Sequence, residues 1–389
     1  MVKALFCILL TVVSVIAFLD LLSAAELPSK KVSADSSHPI KIAYVGGLTG
    51  PVSQAAQKSL KALKLIANQW NRKGGLLNRK IEVLAFDTQS LAIAMPGLFK
   101  KIKASGAVAI TGVHTSNEAL LLAPLADQNK IPLVIASATH PAITKNRRFV
   151  IRTCFNDDLQ GNFLATSARQ SLHSKKAIIV VDVSDSFTLN LAETFKKKFS
   201  TLGGKIVAEY SIRTGDQKFD LVSNSLRTSK DFDLIFAATS SVEAAYLISQ
   251  LSEEGIEANF LGSDGWQNQD LSRILETLHQ SSKSSFFSAH WHRNVQFPAA
   301  ARFISEFEKE YEQPITSFDA DTVLTYDAGL LLLNAIRAAR STDPHKIIAA
   351  LKKVSVNGVT GPIKINRNGE PKKKIFLLQI LRGRVSVWQ

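Results

Sequence analysis

IKIAYV (residues 40–45), GGLTGP (46–51), VSQAAQKSLKALKLIANQWNR (52–72), KGGLLNRK (73–80) and IEVLAFD (81–87) follow one another without a break. The first block reads as an apolar strand, the second as a turn, the third as a helix, the fourth as a Gly-Gly reversal and the last as a second strand. Together, Ile40 to Asp87 form a βαβ unit. Its first turn carries no Gly-x-Gly-x-x-Gly and no P-loop, so nothing there cradles a phosphate. The unit points to an α/β protein that holds a small molecule at strand ends without needing a nucleotide.

The alternation continues downstream. The helix Ala94 to Ala104 leads to strand Ala107 to Thr111, and the helix Glu118 to Gln128 leads to strand Leu133 to Ala136. Strand Phe149 to Arg152 and helix Leu159 to Leu172 follow. A second series begins at Lys176, with strands Ala177 to Val183, Lys205 to Tyr210, Asp233 to Ala238 and Asn259 to Gly262. The helices Leu189 to Leu202, Phe219 to Thr228 and Val242 to Glu254 separate them. Regular βα alternation means parallel sheets covered by helices on both faces, and two series mean two lobes. A strand Ser284 to Trp291 and the helices Ala299 to Tyr311, Ala320 to Ala339 and Pro344 to Val354 come next. A hairpin then joins Ile363 to Ile365 with Lys374 to Ile380 through Asn366-Arg367-Asn368-Gly369. These elements return the chain to the first lobe and cross again to the second, leaving a cleft where a ligand would sit.

With 389 residues the chain exceeds what one hydrophobic core usually serves, and its 46% hydrophobic and 21% charged residues are those of a globular protein. The net charge of +14 is spread over separate clusters such as Lys100-Lys101-Lys103 and Lys196-Lys197-Lys198. None is interleaved with stacking aromatics, so no nucleic-acid partner is expected. Lys3, the apolar run Ala4 to Leu22 and the small residues Ser23-Ala24-Ala25 read as a signal peptide, residues 1–25, cleaved before Glu26. Residues 26–39, rich in Ser, Lys and Pro, read as a flexible leader. Cys154 is then the one cysteine left; it forms no internal disulfide and reads as packing.

No catalytic signature is present: there is no Gly-x-Ser-x-Gly elbow and no P-loop. His290 and His292 would share a strand face and could supply half a metal site, but no further ligands stand near them in sequence, and neither metal nor cofactor is expected. Recognition residues are sought at helix starts. Thr115 and Glu118 are spaced as a capping box around Ser116, and Ser137-Ala138-Thr139-His140-Pro141 follows the neighbouring strand with Thr139 or His140 as cap. One such turn alone is only a cap; two on adjacent strands make a shared anion cradle. In the second series, Asp182 to Phe187, Thr239-Ser240-Ser241-Val242-Glu243 and Gly262-Ser263-Asp264-Gly265-Trp266 occupy the corresponding strand ends. Asp264 beside Trp266 could meet an ammonium group by charge and cation–π contact, though Asp-Gly is also a common turn pair.

These residues, in this order, resemble the type I periplasmic solute-binding proteins, in particular the branched-chain amino-acid (Leu/Ile/Val) binding branch of ABC importers. The most specific stretches are Val45 to Val52, Ile66 to Glu82 and Phe86-Asp87, with Thr111-Gly112 through Ser116, Ile135 to Pro141, Phe149 to Thr153, Gly262 to Gly265 and Tyr326-Asp327-Ala328. The resemblance implies two Rossmann-like lobes with parallel sheets joined by three crossover segments, closing on a ligand as a hinged trap. It implies that the ligand α-carboxylate is held at Ser116 and by Ser137-Ala138-Thr139. An acidic residue at Asp264 meets the α-ammonium, and an aromatic at Phe187 covers the ligand. Ala55-Ala56 stand where relatives often have an aromatic and a Gly; Phe187-Thr188-Leu189-Asn190 lacks the family's two glycines; Asp264 is a methylene shorter than the usual Glu; and the aromatic expected near Ser240 is missing.

The expectation is therefore a non-enzymatic, exported protein of the periplasm, monomeric, that captures an amino acid (branched-chain or similarly apolar) or an analogue in the interlobe cleft by hinge closure and delivers it to an ABC permease in the inner membrane. Lobe 1 is expected to comprise residues 40–156 plus 291–356, and lobe 2 residues 157–290 plus 357–389. The same residues leave open a binder of an amide, urea-like compound or aromatic acid, and a sensor feeding a membrane receptor.

Overall fold

The computed structural model describes residues 35–229, 231–256, 258–277, 285–295, 297–381 and 384–388. The expected signal peptide and the leader as far as residue 34 lie outside the described residues. The leader's expected end does not hold. Asp35–Gly46 is one strand, β1, and its first residue donates to Asn78 O at 2.9 Å, so residues 35–39 belong to the sheet.

The first lobe is built as its opening unit dictates. From β1 the chain forms α1 (Ser53–Arg72), β2 (Arg79–Asp87), α2 (Met95–Ala104), β3 (Ala109–Gly112), α3 (Ser116–Gln128), β4 (Leu133–Ile135) and β5 (Val150–Arg152). Helix α1 buries Ala56, Ala62, Leu63, Ile66 and Ala67, the stripe that 3.6-residue spacing places on one face. The five strands are parallel in the order β2-β1-β3-β4-β5. Every residue of β3, β4 and β5 is buried, as strands covered on both faces require.

The second lobe runs α4 (Asp157–Gln170), β6 (Lys176–Asp182), α5 (Ser186–Thr201), β7 (Lys205–Ile212), α6 (Asp220–Thr228), β8 (Leu234–Ala238), α7 (Ser241–Glu253), β9 (Asn259–Gly262), α8 (Gln269–Thr277) and β10 (Ser285–Ala289). Its parallel strands pack Ile178, Val180, Ile235 and Phe260 on one face and Ile179, Phe236 and Leu261 on the other. The chain then returns to the first lobe. Helices α9 (Pro298–Tyr311), α10 (Ala320–Ala339) and α11 (Pro344–Leu351) bury Phe303, Phe307, Leu331, Leu332 and Ile347 together with Ile40, Ile42 and Ile66.

The C-terminal hairpin is not the expected one. Ile363 lies in a short strand, β12 (Gly361–Lys364), that pairs backwards with β11 (Ser355–Gly358), and Val356 faces Ile363. The later segment forms β13 (Phe376–Leu381), antiparallel to β10, with β14 (Arg384–Val387) as its outer neighbour. The second sheet therefore reads β14-β13-β10-β9-β8-β6-β7. The Asn366–Gly369 turn does form, with Asn366 N donating to Glu370 O at 2.8 Å and a single bridge between Ile365 and Pro371. Beyond it the two arms diverge, because their apolar faces belong to different cores: Ile363 and Ile365 to the first lobe, Phe376 and Leu378 to the second. Asp327 on α10 fixes the near arm by accepting from Val359 N at 2.6 Å and from the Thr360 amide and hydroxyl at 3.0 and 2.6 Å. The third crossing thus follows Ile365 rather than residue 356. Three passages, after β5, after β10 and after β12, connect the two lobes.

Candidate functional site

The carboxyl ends of β3 and β4 build one wall of the interlobe cleft. Strand β3 ends at Gly112, whose φ of +100° is open to glycine and strained for other residues; a Cβ there would lie 2.4 Å from Val45 O. The chain leaves the sheet at this point and places Thr115 as the N-cap of α3, its hydroxyl accepting from Glu118 N at 3.4 Å. Only this half of the expected capping box forms, because the Glu118 carboxylate accepts instead from the Thr88 hydroxyl at 2.5 Å. Ser116 is the first residue of α3, and its Oγ accepts from His140 N at 3.2 Å. The two turns singled out from sequence are therefore in direct contact. His140, not Thr139, caps the short 3₁₀ turn at Pro141–Ile143, its Nδ1 accepting from Ala142 N at 3.1 Å.

The turn itself is locked from behind. Arg152, fully buried, donates to Ala138 O at 3.1 Å and His140 O at 2.8 Å, and pairs through Nε with Glu370 at 2.9 Å. The Cys154 thiol donates to Ala138 O at 3.4 Å, and burial pushes it up to about 12, which suits a packing role. Thr139 O accepts from Asp157 N at 3.1 Å, which brings the start of α4 against the cradle.

The facing wall comes from the second lobe. Asp185 caps α5 by accepting from Phe187 N at 3.1 Å. Ser186 reaches across the cleft, its amide and hydroxyl donating to Asn117 Oδ1 on α3 at 3.3 and 2.6 Å. Phe187 is half-buried and lies against Gly265, 3.3 Å from where a Cβ would stand. Asp264 opens the turn after β9, and its side chain keeps 11% of its exposure. Gln160 Nε2 on α4 donates to one of its oxygens at 2.5 Å, and His290 Nε2 lies 2.8 Å from the other. His290 in turn stacks on Phe155, ring centres 3.6 Å apart.

Ser116, Ser137, Ala138, Thr139, Phe187 and Asp264 are thus linked through a continuous series of contacts. Two of the residues singled out from sequence are not. Trp266 folds back over Gly262, where a Cβ would meet its ring at 2.1 Å, and is fully buried against Phe287 in the second core. It presents no face to a cation in the cleft. Ser240 is exposed, and its hydroxyl donates to Glu243 of its own helix. His290 and His292 do not share a site either: His292 Nε2 lies 3.4 Å from Val385 O, away from Asp264. Among the described residues no group of three or more His, Cys, Asp or Glu could hold a metal ion, and no helix is long and apolar enough to cross a membrane.

Sequence reasoning missed two acids. Asp157 is fully buried, and neither oxygen has a hydrogen-bond partner. Burial raises its carboxyl well above the usual range and the charge of Asp264 adds to this, against the opposing influence of the Thr139 hydroxyl and the Arg152 guanidinium. Asp321, in the first turn of α10, lies 3.5 Å from His114 Nδ1 with 37% of its side chain exposed. Burial acts to raise it, but His114, Ser137 and His290 together hold it below the usual range. A signal for Asp157 was present, since Asp157 and Gln160 fall on one face of a helix that follows directly on a strand end. Asp321 had no local signal.

The sequence profile described as periplasmic binding protein matches residues 39–384. The chain belongs to this family. A Leucine-, isoleucine-, valine-, threonine-, and alanine-binding protein of Pseudomonas aeruginosa is 23% identical over 91% of this periplasmic binding protein and 92% of its own length. Leu/Ile/Val-binding protein homolog 1 of Brucella melitensis is 26% identical over 84% and 85%. Among solved structures, the leucine binding protein LivK of Thermotoga maritima superposes with a TM-score of 0.82 and 29% identity, covering 90% of this chain and 98% of that one. The solute binding protein of R. palustris in complex with benzoate superposes at 0.78 with 20% identity, covering 90% and 96%. The two-lobed α/β fold with parallel sheets is that of these solved structures.

Proposed function

We propose that this protein is the solute-binding component of an ABC importer and that it captures an α-amino acid in the interlobe cleft. One observation carries the reading: Ser116, at the positive end of α3, touches the Ser137–His140 turn, and that turn holds the start of α4, whose Gln160 reaches the Asp264 carboxylate. A helix N-terminus with a hydroxyl beside it suits a carboxylate, and an acid facing it suits an ammonium. Asp264 retains lone pairs beyond those used by Gln160 and His290, so it can still accept from a ligand. Phe187 covers the bound molecule from the second lobe. Closure is driven by contacts that exist only when both lobes engage.

In this reading residues 1–25 direct export to the periplasm and are removed, and the monomer delivers its ligand to a permease in the inner membrane. The amino acids named for the relatives from Pseudomonas and Brucella make the branched-chain and related small side chains the first to test. Binding is checked by calorimetry on the wild type, Ser116→Ala and Asp264→Asn. Loss of either head-group contact should weaken an amino acid roughly tenfold or more, the worth of a hydrogen bond to a charged group. Unchanged affinity in Ser116→Ala would mean the cradle lies elsewhere. The engagement of both Asp264 oxygens also suits a neutral amide or urea-like ligand, which would be recognised by affinity that survives Asp264→Asn.

A further inference from the structure

A polar arrangement continues from the Ser137 turn to groups that the head-group contacts do not include. The Tyr44 hydroxyl donates to Ala56 O at 2.7 Å, so its oxygen is left to accept, and His114 Nε2 lies 2.9 Å from it. Burial keeps the Tyr44 proton in place, raising the phenol well above its ordinary value. The His114 ring is buried, with 5% exposure. Its other nitrogen faces Ser137 Oγ at 3.1 Å and Asp321 Oδ1 at 3.5 Å. A four-residue chain of contacts thus runs from the first strand of the sheet to a carboxylate with 37% of its surface open.

Ser137 belongs both to this chain and to the turn that touches Ser116, so Asp321 flanks the anion cradle. Asp321 keeps 37% of its side chain open beside that cradle, so the part of a docked ligand that extends past Ser137 toward α10 meets its carboxylate. A hydrocarbon pressed against an ionised carboxylate strips its water and returns nothing. A donor or a cation returns a charge-assisted hydrogen bond. Arg152, the buried cation behind the cradle, is committed to Glu370 and three protein oxygens.

We propose that Asp321, held beside His114 and Ser137, selects the variable end of the ligand, so that the cleft prefers amino acids whose side chains end in a hydrogen-bond donor or a cation over purely hydrocarbon ones. The inference rests on the amino-acid reading given above and narrows it. The test is calorimetry with L-lysine, L-glutamine, L-norleucine and L-leucine on the wild type, Asp321→Asn and Asp321→Leu, each variant first checked for a wild-type circular dichroism spectrum. Lysine or glutamine should bind the wild type about tenfold or more tightly than norleucine. Asp321→Leu should abolish or invert that order, and the near-isosteric Asp321→Asn should weaken lysine while sparing glutamine, which keeps the test open if the leucine variant fails to fold. Wild-type protein that binds norleucine or leucine at least as well as the polar pair, or variants that leave the order unchanged, would overturn the inference and leave the amino-acid reading standing. Failure of all four amino acids to bind would likewise overturn the inference, while the amino-acid reading falls only if every α-amino acid fails.

Discussion

At the residue scale the most exacting group is Asp157. Its carboxyl is buried without a hydrogen-bond partner beside a second acid, which disfavours the charged form. A carboxyl raised on folding binds its proton more tightly in the native protein than in the unfolded chain. Stability therefore falls as pH rises from the ordinary carboxylate range through the raised folded value. Asp157→Asn should be more stable than wild type at neutral pH, by about 1–3 kcal/mol in urea unfolding, with the difference closing as the pH is lowered toward the carboxylate range. A destabilised variant at pH 7 would show that the ionised carboxylate is paired after all. Residues of this kind were only partly legible. The cap at Thr115 and the turn at Asp264 could be read because caps and turns are local, set by a few neighbours. Trp266 could not, since the direction of its ring depends on the bare Cα of Gly262 and a pocket of the second core. Asp321 lies about two hundred residues from Ser137 in sequence, and helical periodicity says nothing of that meeting.

At the element scale, the N-termini of α3 and α5 meet across the cleft, and Asn117 with Ser186 is the contact that joins them. Asn117→Ala should leave each lobe intact while loosening closure. We expect roughly fivefold weaker ligand binding with little change in the melting temperature of the unliganded protein, as one net hydrogen bond would give. The turn before β13 makes a different contribution. Glu370, carried by the Asn366–Gly369 turn, pairs with Arg152 and also receives the Thr144 hydroxyl. Glu370→Ala strands a fully buried guanidinium and should cost about 3–5 kcal/mol in chemical denaturation. A loss below 1 kcal/mol would mean that the carbonyls around Arg152 suffice. Alternating parallel strands were legible because each is a short apolar run between turns. The last hairpin was misread because an Asn-Gly turn specifies a reversal but not the partner of each arm, and here the two lobes claim one arm each. Helix α8 went unread although Leu271, Ile274 and Leu275 follow helical spacing and Asn268 Oδ1 accepts from Asp270 N at 3.0 Å at its start.

At the scale of the whole molecule, four apolar clusters cover both faces of two sheets, two clusters to each lobe. That division followed from two series of βα units; the return of α9 to α11 to the first lobe was expected from the order of the elements, and their buried faces pack there. The ligand did not follow, because a cleft is defined by residues distant in sequence and by which of them face the gap. The central claim is that this cleft holds an α-amino acid by its carboxylate and ammonium. It is tested most directly by isothermal titration of the purified protein with a panel of α-amino acids, each beside its methyl ester. Saturable one-to-one binding by at least one amino acid, lost in its ester, is the result expected; absence of heat for every α-amino acid, or equal binding of acid and ester, would contradict it.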